Sequence, residues 1–297
     1  MVNMLIVGRQ PGQLCNSLFT FAHVLANAIE NDYLIWNPAF IRYARFFKAT
    51  GDKLPRGYPV SRLQSIRLPG LQTVLYRLIN ALGRYGVRYA SAMCPIRALD
   101  ISQSHDDVGV NYDMTGLGFC EQRSKAPILV TSGWLFRDHA GLSKHGDAVR
   151  RFFEPLDLYQ DAVNKVLETA RQNCDVLVGV HIRQGDYREY CGGRYHFETG
   201  DYINIMRKLV GLWADRRVKF LICSNQSQDK TCFADLPHVM GPHQVIEDLY
   251  ALAGCDYLIG PPSTFSQWAS FYGKVPLCTI ESPVELITPN RFHVHKG

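Results

Sequence analysis

A doubly wound α/β fold is what this sequence predicts, and three observations predict it. The chain opens on a short apolar run, Met4–Val7, that passes at once into a glycine-bearing loop and a helix-length stripe. Its second half alternates strand-like and helix-like periodicity in regular units, the pattern of a parallel sheet with crossover helices. The apolar runs are short, rich in β-branched residues and closed by polar ones, as strands covered on both faces are. With 297 residues, 46% hydrophobic and 20% charged, there is length for two medium domains. The alternation becomes regular after about residue 155, which gives an N-terminal α/β domain over 1–155 and a C-terminal Rossmann-like domain over 156–297.

After the first strand, the turn Gly8–Gly12 leads into a helix over 13–31, with Leu14, Leu18, Phe21, Ala22, Leu25, Ala28 and Ile29 on one stripe. Asn16 is the polar side chain of its first turn best placed to face a ligand over the glycine loop, although such residues are commonly solvated or capping groups. Tyr33–Trp36 reads as the second strand. Residues 38–100 then carry eleven Lys/Arg against two acids, and within them Leu71, Val74, Leu75, Leu78, Ile79 and Leu82 repeat at helical spacing with Arg77, Arg84 and Arg88 off the stripe. That pattern fits a basic amphipathic helix on an anionic membrane surface, or, the commoner arrangement, a helix packing its stripe on the core. Ile128–Thr131 is a further strand. The regular half follows as a helix over 156–172, the strand Val176–Ile182, a helix over 201–214, the strand Val218–Cys223, a helix over 245–253, the strand Tyr257–Gly260, a helix over 264–272 and the strand Val275–Ile280.

Nine cysteines form neither a CxxC pair nor an even frame, and Cys174, Cys223, Cys255 and Cys278 lie in or beside apolar runs. They read as small buried hydrophobes in a reducing compartment. No secretory leader is visible, and no run reaches the roughly 18 apolar residues of a spanning helix. A cytoplasmic protein is expected, with peripheral membrane contact through the basic 38–100 region. That region lacks a recognisable motif or aromatic platform for nucleic acid.

Chemistry gathers at three strand ends. The stretch Asp175–Tyr187 leaves its strand with His181, Arg183 and Asp186, the second strand ends in Ser224-Asn225-Gln226, and the third runs from Gly260 through Pro261, Pro262, Ser263 and Thr264 to Phe265 and a helix. Ligands of open α/β sheets bind outside the carboxyl ends of the strands. Arg183 offers a fork of donors suited to phosphate, and Ser263 and Thr264 can add hydroxyls to the free N–H groups of a helix start, with Phe265 beside a flat base. Each feature also has an ordinary reading: a local Arg183–Asp186 ion pair, a Ser263 cap, Phe265 in the core. Asp256 heads the third strand and can accept from a base or ribose. Metal ligands are thin: there is no DxD triad, His105 with Asp106-Asp107 lacks the spacing, and His293 with His295 lacks a third ligand.

Three stretches together resemble one family. His181-Ile-Arg-Gln-Gly-Asp-Tyr187 is similar to the HxRRxD-type motif of the α-1,2-fucosyltransferases (glycosyltransferase family 11-like), relatives of the α-1,6- and protein O-fucosyltransferases. Gly12–Ala22 resembles that family's opening G-x-L-G-N-Q-x-F-x-x-A, and Asp248–Asp256 with Ser263–Trp268 resembles its D-L-x-x-M-x-x-C-D…S-T-F-S-x-W segment. The resemblance implies two facing Rossmann-like domains of the GT-B type and an inverting, metal-independent transfer of fucose from GDP-fucose to a saccharide acceptor. That acceptor would be soluble or lipid-linked and would lie on the N-terminal side. It implies no cofactor. Arg183 would bind the β-phosphate; His181, Asn225, Asp256, Ser263, Thr264 and Phe265 would line the donor; Asn16 would sit across the cleft. Asp186 and Glu189 are both candidates for the base. Gln184 stands where the family has a second arginine, Cys15 replaces a glycine, Ser17 a glutamine, and Pro261-Pro262 stiffens the last loop. Another GDP-sugar, or a nucleotide-sugar or glycan binding protein without turnover, are the alternatives.

Overall fold

The computed structural model describes residues 3–9, 12–50, 57–65, 95–101 and 110–297, together with the helical positions 70, 71, 74, 75, 77, 78 and 81. The chain forms two compact units, residues 1–155 with Gly297, and residues 156–296.

In the first unit, β1 (Met4–Arg9), β2 (Leu34–Trp36), β3 (Ile96–Asp100) and β5 (Ile128–Ser132) form a parallel sheet in the order β2-β1-β5-β3. A parallel pair, β4 (Tyr112–Asp113) and β6 (Phe136–Arg137), stands apart from it. The helix α1 (Leu14–Asn31) follows β1 and buries Leu18, Phe21, Ala22, Leu25 and Ala28 completely. Phe21 meets Phe40, Phe152 and Phe153 edge to face at 5.2–5.5 Å, the spacing aromatic quadrupoles favour.

Helix α1 also buries a polar seam, which an apolar stripe alone does not explain. Thr20 donates to Trp134 O at 2.8 Å, His23 Nδ1 accepts from the Asp138 N–H at 3.1 Å, and Asn27 donates to Asp138 Oδ2 at 2.7 Å while accepting from Tyr33 OH at 2.7 Å. These side chains pin the segment after β5 to the helix. Asp138 in turn caps the helix over His139–Phe152, its Oδ1 accepting from the Gly141 N–H at 2.6 Å.

In the second unit, β7 (Val176–Ile182), β8 (Val218–Ser224), β9 (His238–Met240), β10 (Tyr257–Gly260) and β11 (Leu277–Thr279) lie parallel in the order β11-β10-β7-β8-β9. Every residue of β7 is buried, which is why the run is apolar on both faces. The chain moves outward from β7 to β9, and then a helix over Val245–Ala253 carries it back to the other side of β7. The strand order therefore reverses between β7 and β10, where an open α/β sheet leaves a crevice for ligands.

Most expected elements form within two residues of their expected ends. Four strands are not expected from the sequence: β3, an edge strand half-buried except at exposed Asp100, the three-residue β9, and the two-residue β4 and β6. The helix expected to Ala214 ends at Leu212, and Val210, assigned inward, is exposed. Cys15, Cys223, Cys255 and Cys278 are buried, Cys174, expected with them, is only half-buried, and Cys120, Cys191 and Cys232 are exposed. The stripe from Leu71 departs from core packing at its described positions. Leu71, Val74 and Leu78 are 52%, 54% and 58% exposed, and Leu75 alone of the four packs against the cluster of Ile6, Trp36 and Val130. Ile79, Leu82, Arg84 and Arg88, like His105, Asp106 and Asp107, lie outside the described residues. No helix among the described residues is long and apolar enough to cross a membrane.

Because Asp138 serves both the helix cap and the buried seam, Asp138→Ala is expected to lower the unfolding free energy by about 2–4 kcal/mol, the sum of a lost cap and an orphaned Asn27 amide. Urea denaturation monitored by far-UV circular dichroism checks this. A loss of only about 1 kcal/mol, that of a cap alone, would show that the seam adds nothing to the cap.

Candidate functional site

The site is built at the β7/β10 crevice. At the end of β7 the chain leaves the sheet at Arg183, whose side chain is only 15% exposed. Its Nε donates to Asp186 Oδ1 at 3.1 Å and its Nη2 to Asp186 Oδ2 at 2.6 Å, a two-pronged pair. The guanidinium also lies 4.9 Å over the Tyr187 ring, with Nη1 at 3.5 Å from Ser263 Oγ. The hydrogen bonds from Arg183 hold the Asp186 carboxyl below the usual carboxylate range, against the opposing effect of partial burial. Asn225, at the end of β8, fixes the same turn: its amide donates to Asp186 Oδ1 at 3.2 Å and its carbonyl accepts from the Gln184 N–H at 3.0 Å. Tyr187 OH donates to Pro262 O and ties the β7 loop to the β10 loop.

From β10, Ser263 begins a ten-residue helix (Thr264–Gly273), its Oγ accepting from the Phe265 N–H at 3.2 Å. The Phe265 ring packs 4.9 Å from the His181 imidazole, which is buried and lies with a ring nitrogen 2.7 Å from Ser266 Oγ. Burial, and then the charge of Arg183, push the His181 pKa down to about 3, so the ring is neutral at physiological pH. Gly260 permits this closeness, because a Cβ there would stand 2.9 Å from Ser266 Oγ and 3.0 Å from His181 Cβ.

One guanidinium, a capped helix start and two hydroxyls thus converge beside an aromatic pair. That combination suits a phosphate next to a flat ring.

Of the other residues singled out, Thr264 is half-buried in the first turn of that helix and Glu189 is exposed on the β7 loop. The Glu189 carboxylate has no hydrogen-bond or ion-pair partner among the described residues, unlike that of Asp186. Asn16 belongs to the first unit, where its side chain covers Gly12; at φ +90° that glycine has a conformation L side chains rarely adopt. Asp256 is a correction. It stands at the opposite, amino end of β10, where it pairs with Arg171 at 2.9 Å and accepts from the Leu177 N–H at 2.8 Å. A strand four residues long separates it from Ser263.

Asp248, eight residues earlier in the same segment, does reach the carboxyl end of the sheet. It is 6% exposed in the first turn of the Val245–Ala253 helix, and its Oδ1 accepts from the His243 N–H at 3.2 Å, in the loop after β9. Desolvation raises its pKa to about 6. A helix-start acid following a strand end was the signal available for it. Gln184 also differs from expectation. Its side chain turns inward, donating to Phe197 O at 3.1 Å and Thr199 Oγ1 at 3.4 Å and accepting from Gln228 at 2.9 Å. It is a structural tie beneath the loop and not a neutral stand-in at its surface. Among the described residues no group of three or more His, Cys, Asp or Glu could hold a metal ion.

No family model and no curated protein matches the sequence. Solved structures do match in fold. They include a mutant of Arabidopsis thaliana FUT1 in complex with GDP, with a TM-score of 0.61 and 13% identity over 99% of this chain and 74% of that one. NodZ α-1,6-fucosyltransferase soaked with GDP-fucose matches with a TM-score of 0.59 and 17% identity over 94% and 95% of the two chains. POFUT1 in complex with GDP-fucose matches with a TM-score of 0.54 and 12% identity over 91% and 93%. At these identities the likeness establishes the fold: α/β with parallel sheets, as in the GT-B fucosyltransferases.

The raised pKa of Asp248 has a signed consequence. A carboxyl whose folded pKa lies above its unfolded value contributes most stability below the unfolded value, near 3.8, and loses it as pH rises through about 6. Asp248→Asn keeps an acceptor for His243, so it is expected to stabilise the ligand-free protein by about 1–2 kcal/mol above pH 7 and to leave it unchanged below pH 4. Thermal melts across that range test it, and an equal shift at both ends would refute the assignment.

Proposed function

We propose that this protein is an inverting, metal-independent glycosyltransferase that moves fucose from GDP-fucose to a saccharide hydroxyl, forming an α-1,2 linkage. The second unit takes the donor. The observation that carries the reading is Arg183 beside the Ser263-capped helix at the strand-order reversal. That is where a diphosphate would find both a guanidinium and a helix start. The fucosyltransferase structures of the same fold hold GDP or GDP-fucose, which supports the choice of donor.

In this reading the bond from the anomeric carbon to the β-phosphate oxygen breaks, and its electron pair stays on the phosphate. Arg183, the Ser263 and Thr264 hydroxyls and the positive helix end offset that charge as it develops. The acceptor oxygen bonds to the opposite face of the anomeric carbon, and its proton passes to a carboxylate. Glu189 is the better base, because Asp186 is held by Arg183 and Asn225 and serves to aim the guanidinium. The Phe265 and neutral His181 rings flank the nucleotide. Asp248, ionised above pH 6, accepts from the N–H donors along a guanine edge.

A peripheral membrane contact belongs to the same proposal. Leu71, Val74 and Leu78 are exposed on one helical stripe with Arg77 beside them, in a segment with eleven basic and two acidic residues. An anionic bilayer surface would cover such a stripe, and would present a lipid-linked acceptor.

GDP and GDP-fucose are expected to raise the melting temperature equally with and without EDTA, while UDP- and CMP-sugars leave it unchanged. A response confined to the latter sugars, or abolished by EDTA, would overturn both donor and mechanism. Arg183→Ala is expected to cut kcat by about 10²–10³-fold, the usual loss for a group that stabilises developing charge. Turnover of GDP-fucose to GDP in the wild type separates a transferase from a binding protein. For the membrane contact, vesicles containing a quarter phosphatidylglycerol should co-sediment the wild type but not Leu71→Asn/Val74→Asn/Leu78→Asn, and neutral vesicles should bind neither. Equal sedimentation of both proteins would rule it out.

A further inference from the structure

One ring beyond the Arg183–Tyr187 contact lies an aromatic side chain that the core does not use. Tyr190 is 53% exposed, and its ring stacks on that of Tyr187 with centroids 5.1 Å apart and 28° between planes. The chain immediately after it is held in an unusual shape. Cys191 has φ 50°, and Gly192 and Gly193 follow at φ 65° and φ 79°, three successive left-handed residues. A non-glycine residue in that region costs on the order of 1 kcal/mol and persists only where its surroundings impose it. The loop thus turns back after Tyr190 and leaves the outer part of the ring to solvent, while the free carboxylate of Glu189 precedes it in sequence.

We propose that the exposed face of Tyr190 is the stacking platform for a pyranose ring of the saccharide acceptor, a reading that rests on the donor site assigned above. The inner partner of Tyr190 is the ring beneath Arg183, so Tyr190 stands one ring contact beyond the guanidinium and next in sequence to the candidate base Glu189. A pyranose has an apolar C–H face and a polar rim, and an aromatic side chain with an apolar body and a polar tip complements both. Donor recognition needs none of this, since the ring contact of Tyr190 is with Tyr187 and not with the His181–Phe265 pair. The role of Tyr190 is therefore in acceptor affinity and orientation.

The test uses full-length protein saturated with GDP and four probes: methyl β-galactoside, N-acetyllactosamine, N,N′-diacetylchitobiose and methyl α-mannoside. Saturation-transfer NMR identifies the probes that bind and which sugar protons face an aromatic ring. For those probes, Tyr190→Ala should bind about tenfold more weakly, and Tyr190→Phe should restore wild-type affinity, because stacking and not the hydroxyl is the main contribution. The GDP-induced rise in melting temperature should be the same in all three proteins. Unchanged saccharide affinity in Tyr190→Ala, or no probe bound by wild-type protein that GDP stabilises, overturns the platform and leaves the donor site intact. Failure of GDP to stabilise even the wild type overturns the donor reading itself.

Discussion

The register between β7 and β10 is the constraint on which the rest of the second unit depends. Parallel pairing sets Ile259 level with Val180, so Gly260 lies against His181 and both strands leave the sheet at the same height. A shift of one residue would turn every side chain of β10 to the other face. It would also separate Ser263 from Arg183 and leave Tyr187 without Pro262 O. The missing Cβ at 260 is thus a condition of the site, because no other residue lets the strand end approach the imidazole so closely.

Electrostatics then decide how that geometry is held before any ligand arrives. Arg183 is mostly screened from water, and an unpaired cation there would be costly, so Asp186 supplies a two-pronged partner and Asn225 steadies the carboxylate. Nη1 is left pointing toward Ser263, the side on which an anion would approach the helix start. His181, deprived of charge by burial, behaves as a flat wall and not as a proton donor. Asp248 shows the opposite outcome of the same physics: burial raises its pKa, so the fold carries a strained carboxylate that a donor-bearing ligand would relieve.

Much of this was legible in the sequence, and the parts that were not share physical reasons. Short β-branched apolar runs and helical stripes gave β7, β8, β10 and the helices between them, because the strands are covered on both faces and each helix buries a stripe. Three-residue β9 and edge strand β3 bury too little to leave a pattern. The grouping of Arg183, Asp186, Ser263 and Phe265 followed from strand ends alone. Asp256 was misplaced for a reason also visible in the sequence: a residue that begins a strand lies a strand's length from residues that end it. The inward turn of Gln184 had no signal, since its partners Phe197, Thr199 and Gln228 come from segments that only the folded chain brings together. The stripe at Leu71, Val74 and Leu78 shows that periodicity reports a face but not what covers it.

The inward tie at Gln184 binds three positions into one unit. Thr199 donates to Gln228 Oε1, Gln228 donates to Gln184 Oε1, and Gln184 donates back toward Thr199, so the three form a closed neutral circuit with no spare acid. An arginine introduced at 184 alone would bring a charge into this half-buried ring without a counterion among the three. Positions 184, 199 and 228 are therefore coupled, so that a charged side chain at one of them requires a compensating change at another.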